Sequence, residues 1–295
     1  VPAYAGLKKS LTFYEIVPKV MPMDKANDYK MKLEDVKKAY TEKTVALLIT
    51  NPANPACKFI DEDELKKIVE FCIEKNIYII YDAIFEEAPM FNNKRVQIFK
   101  LAHDYSKLIK IKGFSKDIPQ LSDLRCGWTI CKNPKFIEWL LELGEAVNYS
   151  NSTFLEALGI VEMTQRVNVD KGDKSPETLE YIAQKEQYHN QIITLFNDAY
   201  KYLMSQKDVV ENVVYPDAGN IMYVTLKKEA CNKKGVYTSH ELFVYILEKE
   251  NILVTPGNVF GIPLEDLSFR VTISRGYEQF MDGLKRIVEL FKEER

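Results

Sequence analysis

None of the 12 glycines in this 295-residue chain forms a Gly-x-Gly, so the dinucleotide-binding fingerprint is excluded. Gly-Lys-Ser/Thr is absent too, which removes the phosphate loop of nucleotide hydrolases. Gly-x-Ser-x-Gly does not occur, so a serine nucleophile on a strand-to-helix elbow has no support. The three histidines, His103, His189 and His240, are far apart and lack a metal-ligand spacing, which argues against zinc hydrolysis. The five cysteines, Cys57, Cys72, Cys126, Cys131 and Cys231, are odd in number and contain no Cys-x-x-Cys pair; they read as reduced, mostly buried thiols. No apolar run approaches the ~20 residues that span a bilayer, and no charged-then-apolar leader is seen, so a cytoplasmic location is expected. A net charge of -3 without a long basic block argues against nucleic acid or an anionic membrane as the main partner. What remains is chemistry run by something other than histidine, metal or nicotinamide.

The chain is 46% hydrophobic and 28% charged, ordinary for a globular protein, and long enough for two domains. Residues 45–49 and 77–81 are continuous apolar runs of the kind that parallel sheets bury on both faces, and 108–114 and 126–131 are further strand candidates. A helix over 62–75 separates the first two, with Leu65, Ile68, Val69 and Cys72 at helical spacing and an Asp61–Glu64 capping box at its start. This alternation predicts an α/β fold, a mainly parallel sheet sandwiched by helices, with its site at the strands' carboxyl ends. Asn54, Asp82 and Lys116 each lie just after a predicted strand and are expected to converge there. Each has a plainer reading: Asn54 as a turn residue before proline, Asp82 as a cap, Lys116 as a solvated loop lysine. Held against apolar walls, Lys116 would lose proton affinity and become a nucleophilic amine.

Residues 11–17 are partly strand-like and 33–43 helical; further helices are predicted over 134–142, 152–165 and 176–205, with a polar linker at 168–175. Strands at 220–226, 252–255 and 268–273 and helices at 239–249 and 278–292 complete a smaller α+β unit, the first of these helices opened by a Thr238–Glu241 capping pair. The expected organisation is a large domain over 1–170, a linking helix over 171–206 and a small domain over 207–295.

Five motifs in order carry a family resemblance. Asn51-Pro-Ala-Asn54-Pro, Tyr81-Asp82-Ala-Ile-Phe85, Phe114-Ser115-Lys116 with Arg125-Cys-Gly127, Val254-Thr-Pro256-Gly257-Asn-Val-Phe260-Gly261 and Ser268-Phe269-Arg270-Val271-Thr272 resemble the class I/II aminotransferases. These are pyridoxal 5'-phosphate (PLP) enzymes of fold type I. The resemblance implies transfer of an amino group between an L-amino acid and a 2-oxo acid, in a homodimer. It implies that Lys116 holds the cofactor as an internal aldimine and then acts as acid and base at the substrate α-carbon. Asp82 would pair with the pyridine nitrogen, Asn54 would donate to the phenolic oxygen, and Arg125 with Ser115 would hold the phosphate. Arg270 would grip the substrate carboxylate, and the aromatic ring of Tyr4 would stack on the cofactor.

The pattern departs at four places. Phe85 stands where a tyrosine is usual, Gly113 where a serine is, and Ala56-Cys57 where Thr-Gly is; the loop from Lys116 to Arg125 is one residue longer than the commonest spacing. A divergent member with an altered reaction outcome is therefore one expectation, and a non-catalytic binding relative another. The family's opening segment, with its glycine-rich phosphate loop at a helix start, has no counterpart in these residues, so the large domain is expected to be N-terminally incomplete.

Overall fold

The computed structural model describes residues 1–86, 96–116, 125–149, 152–273 and 276–292. The chain opens with helix α1 (Ala5–Phe13), where the sequence predicts partly strand-like backbone over 11–17. No ladder partner lies beside this segment among the described residues. A helix satisfies the same backbone groups internally, and Tyr14 N closes its end on Ser10 O at 3.2 Å. Helix α2 (Leu33–Ala39) stops short of the expected residue 43.

The first sheet contains β1 (Ala46–Thr50), β2 (Tyr78–Asp82), β3 (Leu108–Gly113) and β4 (Gly127–Cys131), in that order, with α3 (Glu62–Glu74) between β1 and β2 and the single turn α4 (Ile98–Leu101) before β3. The first three strands are parallel, with Thr50 opposite Asp82 and Asp82 opposite Ile111, so their carboxyl ends share one edge. The apolar stripe of α3 covers one face: Leu65, Ile68, Val69 and Cys72 pack with Ile49, Ile79, Tyr81 and Leu108. Each such side chain contributes about 1.5–3 kcal/mol of burial. Strand β4, the candidate over 126–131, runs antiparallel to β3 and is only partly buried. Phe114 N donates to Cys126 O at 3.2 Å, continuing the ladder into the loop, so the chain reverses here instead of crossing over.

The Asp61–Glu64 capping box does not form. Asp61 is the N-cap residue of α3, but its carboxylate pairs with Lys30 at 3.1 Å. Glu64 accepts from Leu33 N at 2.7 Å instead of from the backbone of its own cap. Partners brought in by tertiary structure outcompete the local pairing.

Helices α5 (Pro134–Asn148), α6 (Thr153–Asp170) and α7 (Pro176–Ser205) follow, the first two longer than predicted. Asn133 and Ser175 cap α5 and α7 through Phe136 N and Thr178 N, each ahead of a proline with no N–H to satisfy. At 30 residues α7 is about 45 Å long and reaches from α6 to the second sheet.

That second sheet is antiparallel, ordered β5-β6-β8-β7, from β5 (Val210–Val214), β6 (Ile221–Leu226), β7 (Thr255–Pro256) and β8 (Ser268–Thr272). The short helix α8 (Lys228–Asn232), α9 (Ser239–Glu250) and α10 (Tyr277–Leu290) complete this small C-terminal domain. Its core joins Phe196, Ala199 and Leu203 of α7 to Met222, Val224, Leu242, Ile246, Phe269 and Leu284. The predicted capping box of α9 forms: Glu241 N donates to Thr238 Oγ1 at 3.1 Å and Thr238 N to Glu241 Oε2 at 2.9 Å. Thr238→Ala is expected to cost about 1 kcal/mol, read as a fall in Tm of about 2–4 °C. Among the described residues no helix is long and apolar enough to cross a membrane.

Candidate active site

The loop after β1 is built around Asn51, which is fully buried. Its Nδ2 donates to Tyr81 Oη at 2.9 Å, its Oδ1 accepts from Ile60 N at 2.9 Å, and its backbone N donates to Asp82 O at 3.0 Å. Asn51 is thus scaffold, and it fixes a loop from which Asn54 reaches the other domain. Asn54 Oδ1 accepts from Arg270 Nη1 at 3.2 Å across 216 positions of sequence. With its oxygen engaged, Asn54 retains its amide N–H groups as donors.

Arg270 comes from β8. Besides Asn54 it donates from Nη2 to Thr255 Oγ1 at 3.3 Å, and its guanidinium lies over the Phe260 ring, 5.3 Å from the centroid. Burial lowers its pKa, but an arginine stays charged in this setting. Its Nε is buried with no hydrogen-bond acceptor. A buried guanidinium donor without an acceptor is costly, so this geometry is suited to an incoming anion.

Lys116 lies in the turn that follows β3. Burial lowers its pKa first, and the positive charges of Arg270 and Arg125 push it further in the same direction. This environment shifts the amine toward its neutral, nucleophilic form. Arg125, in the left-handed region at φ 48°, donates from Nη1 to Ser115 Oγ at 3.5 Å. Tyr4 is half-exposed; its ring folds against the bare Cα of Gly6 at the start of α1 and lies close enough for Arg270 to feel it.

Asp82 ends β2. Burial raises its pKa, while hydrogen bonds from Ile84 N, at 3.1 Å, and from the Thr50 side chain act in the opposite sense. Its bonds go to these neighbours, not to Lys116 or Arg270. The structure therefore gathers Asn54, Arg270 and Lys116, with Arg125, Ser115 and Tyr4 around them, and sets Asp82 on the same sheet edge but apart from the cations.

Three contributors escaped sequence reasoning. Thr255 and Phe260 brace Arg270, and only their place in the motif preceding its own hinted at that. Cys57 is the third: it is fully buried at φ 51°, and packs with Phe85 and Ile221 as an apolar floor. Gly219, at φ 102°, is pressed onto this floor; a Cβ there would come 3.0 Å from Cys57 Sγ and 3.3 Å from Phe85 Cδ1. Only glycine fits both the backbone and the space. Among the described residues no group of three or more His, Cys, Asp or Glu could hold a metal ion.

A family model described as "Aminotransferase class I and II" matches residues 1–287. "Probable aspartate/prephenate aminotransferase" of Aquifex aeolicus is 25% identical over 295 residues, covering 99% of this chain and 68% of that protein. "Aspartate aminotransferase" of Bacillus subtilis is 27% identical over 268 residues, covering 89% of this chain and 62% of that protein. Among solved structures, an aromatic aminotransferase from Pyrococcus horikoshii superposes with a TM-score of 0.82 at 19% identity, covering 98% of this chain and 71% of the other. The chain thus spans about two thirds of the length of these proteins.

Proposed function

The chain belongs to the class I and II aminotransferase family, PLP-dependent transferases of fold type I, and on that premise we propose that Lys116 is its catalytic amine and that Asn54, Asp82, Ser115, Arg125, Arg270 and Tyr4 bind cofactor and substrate. One observation carries this assignment: Asn54 and Arg270, from distant segments and two domains, are hydrogen-bonded at 3.2 Å, with Lys116 close enough to Arg270 to feel its charge.

The residues fit the cofactor. PLP brings a phosphate, a phenolic oxygen, a ring nitrogen and an aldehyde, and three cations, with one buried carboxylate set apart from them on the same sheet edge, complement that set. When bound, PLP supplies an electrophilic carbon and a ring that takes up the electron pair left on the substrate α-carbon. Arg125 and Ser115 would hold the phosphate. Asp82 would pair its carboxylate with the ring nitrogen, and Asn54 would donate from Nδ2 to the phenolic oxygen, since its Oδ1 is occupied by Arg270. Tyr4 would cover the ring face. Arg270 would orient the substrate through its α-carboxylate, with Nε gaining the acceptor that it lacks. Lys116 Nζ, its proton affinity reduced by burial and by two arginines, would remove the α-proton and redeliver it.

The substrates are an L-amino acid and a 2-oxo acid, the location is cytoplasmic, and the assembly is a homodimer. Trp139, Leu141 and Val147 on α5 and Phe154, Ile160 and Val161 on α6 are exposed, an apolar surface on which a second copy can pack. A visible spectrum with PLP before and after borohydride, followed by peptide mapping, tests the assignment. The modified residue is expected to be Lys116; a label on any other lysine refutes it.

A second reading is elimination from the amino acid without amino transfer. It is favoured by the apolar floor of Cys57, Phe85 and Ile221, which offers no hydroxyl donor beside Asn54. Incubation with an amino acid and a 2-oxo acid separates the two: release of ammonia with no amination of the oxo acid selects elimination.

A further inference from the structure

Two residues before Lys116, Phe114 is clasped on three sides. Its ring centroid is 4.9 Å from that of Trp128 on β4. On α6, Gly159 presents a bare Cα, where a Cβ would come 3.0 Å from Phe114 Cε2. Two turns further along the same helix the Arg166 guanidinium lies over the ring, 5.6 Å from the centroid. Arg166 is itself held. Its Nε donates to Glu162 Oε1 at 2.7 Å, and Tyr181 Oη donates to the same oxygen at 2.7 Å. Glu162 is buried, and those bonds stand in for the water it has lost. A charged network is thus buried behind the turn that carries the amine.

We propose that Arg166, gripped by Glu162 and Tyr181, is a positioning residue for Lys116, acting by pinning Phe114 and so the turn over residues 113–116. The inference rests on the assignment of Lys116 as the cofactor-binding amine. A turn so pinned keeps the amine against its apolar surroundings; a loosened one lets it swing into water. Tyr181 belongs to α7, which also packs on β5 and α10 of the small domain. The seat of Lys116 is therefore tied to the helix that carries the domain bearing Arg270, and a shift of α7 relative to α6 acts first on the Glu162 oxygen shared by Tyr181 and Arg166.

The test measures modification of Lys116 by PLP and borohydride, mapped by peptide, as a function of pH in the full chain. Arg166→Met keeps much of the side-chain volume but removes the charge and its bond to Glu162. It is expected to slow labelling at neutral pH by about tenfold and to move the pH midpoint upward, toward that of an ordinary lysine. Arg166→Lys keeps a cation over the ring and an ion pair to Glu162, and is expected to bring the midpoint most of the way back. Tyr181→Phe removes one bond from Glu162 and is expected to shift the midpoint in the same direction by less, which keeps the test open should Arg166→Met fail to fold. A midpoint that coincides with the wild type in folded Arg166→Met, or in Tyr181→Phe, overturns the proposal even if Tm falls, since a purely structural role lowers Tm alone. Wild-type labelling at a lysine other than Lys116 overturns the cofactor assignment and this inference with it; labelling at Lys116 with an unmoved midpoint overturns only the inference.

Discussion

Lys116→Ala is expected to lower amino transfer by about 10⁴-fold, to abolish borohydride-trapped label and to leave the protein folded. The size of the effect follows from two tasks that one amine performs, attack on the cofactor carbonyl and proton movement at the substrate α-carbon. No neighbour replaces it. Arg125 and Arg270 cannot lose a proton in this range, and Lys110 and Lys112 on β3 are ion-paired to Glu86 at 2.6 and 3.6 Å. The same variant is expected to be more stable than the wild type when cofactor is absent. Burial and two arginines hold the Lys116 pKa below its ordinary value. Below that depressed value the amine is charged in both folded and unfolded chains, and the penalty of burying the charge is present in full. It is relieved as pH rises through the folded pKa, and vanishes above the ordinary lysine value. The gain of Lys116→Ala should therefore be largest at neutral pH, about 1–2 °C in Tm once the partial exposure of Lys116 is allowed for, and fade in alkali. A variant that keeps substantial turnover, or that loses stability at neutral pH, is incompatible with a desolvated catalytic amine.

Asp82 shows the mirror image. Burial raises its pKa, so its carboxylate destabilises the fold at neutral pH, and that cost disappears only as pH falls below the ordinary aspartate value. Two oppositely charged groups, each shifted toward neutrality by burial and set at one sheet edge, are a stored electrostatic cost that a bound ion can offset. Sites of this kind trade stability for function.

What the sequence revealed and what it hid divide along the range of the interactions concerned. Strands β1, β2 and β3 are continuous apolar runs, and parallel pairing puts all their carboxyl ends on one edge, so the neighbourhood of Asn54, Asp82 and Lys116 could be read before any coordinates. The Thr238–Glu241 box was legible because both partners lie within one helical turn. Asp61 and Glu64 carry the same pattern, but Lys30 and Leu33 N, 31 positions away, take their carboxylates. Strand β5 was missed because Glu211 and Asn212 interrupt its apolar residues and a register shift falls at that place. The direction of β4 depends on a reversal that apolar periodicity does not encode. The brace around Arg270, with Thr255 on one side and Phe260 below, exists only once β7 is laid beside β8.

That brace makes Arg270→Lys the more informative of the conservative substitutions. The charge survives, but an ammonium cannot reach Asn54 Oδ1, Thr255 Oγ1 and a carboxylate together, as the planar guanidinium does. Asn54 Oδ1, released from Arg270, is free to turn its amide and withdraw the Nδ2 donor from the phenolic oxygen, so one substitution weakens substrate and cofactor contacts together. Loss of a paired, buried charge-assisted contact costs about 3–4 kcal/mol, which corresponds to about 10²–10³-fold in kcat/KM. Most of the loss should fall on KM, because the α-carboxylate is gripped in the ground state as well as in the transition state. A measurement that isolates the contact compares an amino acid with the amine lacking its carboxylate. The wild type should discriminate strongly against the amine, and in Arg270→Lys that ratio should collapse, by less than kcat/KM for the amino acid because the weakened cofactor contact slows the amine as well. If the ratio is unchanged while both substrates slow equally, Arg270 supports the site without touching the carboxylate, and the clamp belongs to another residue.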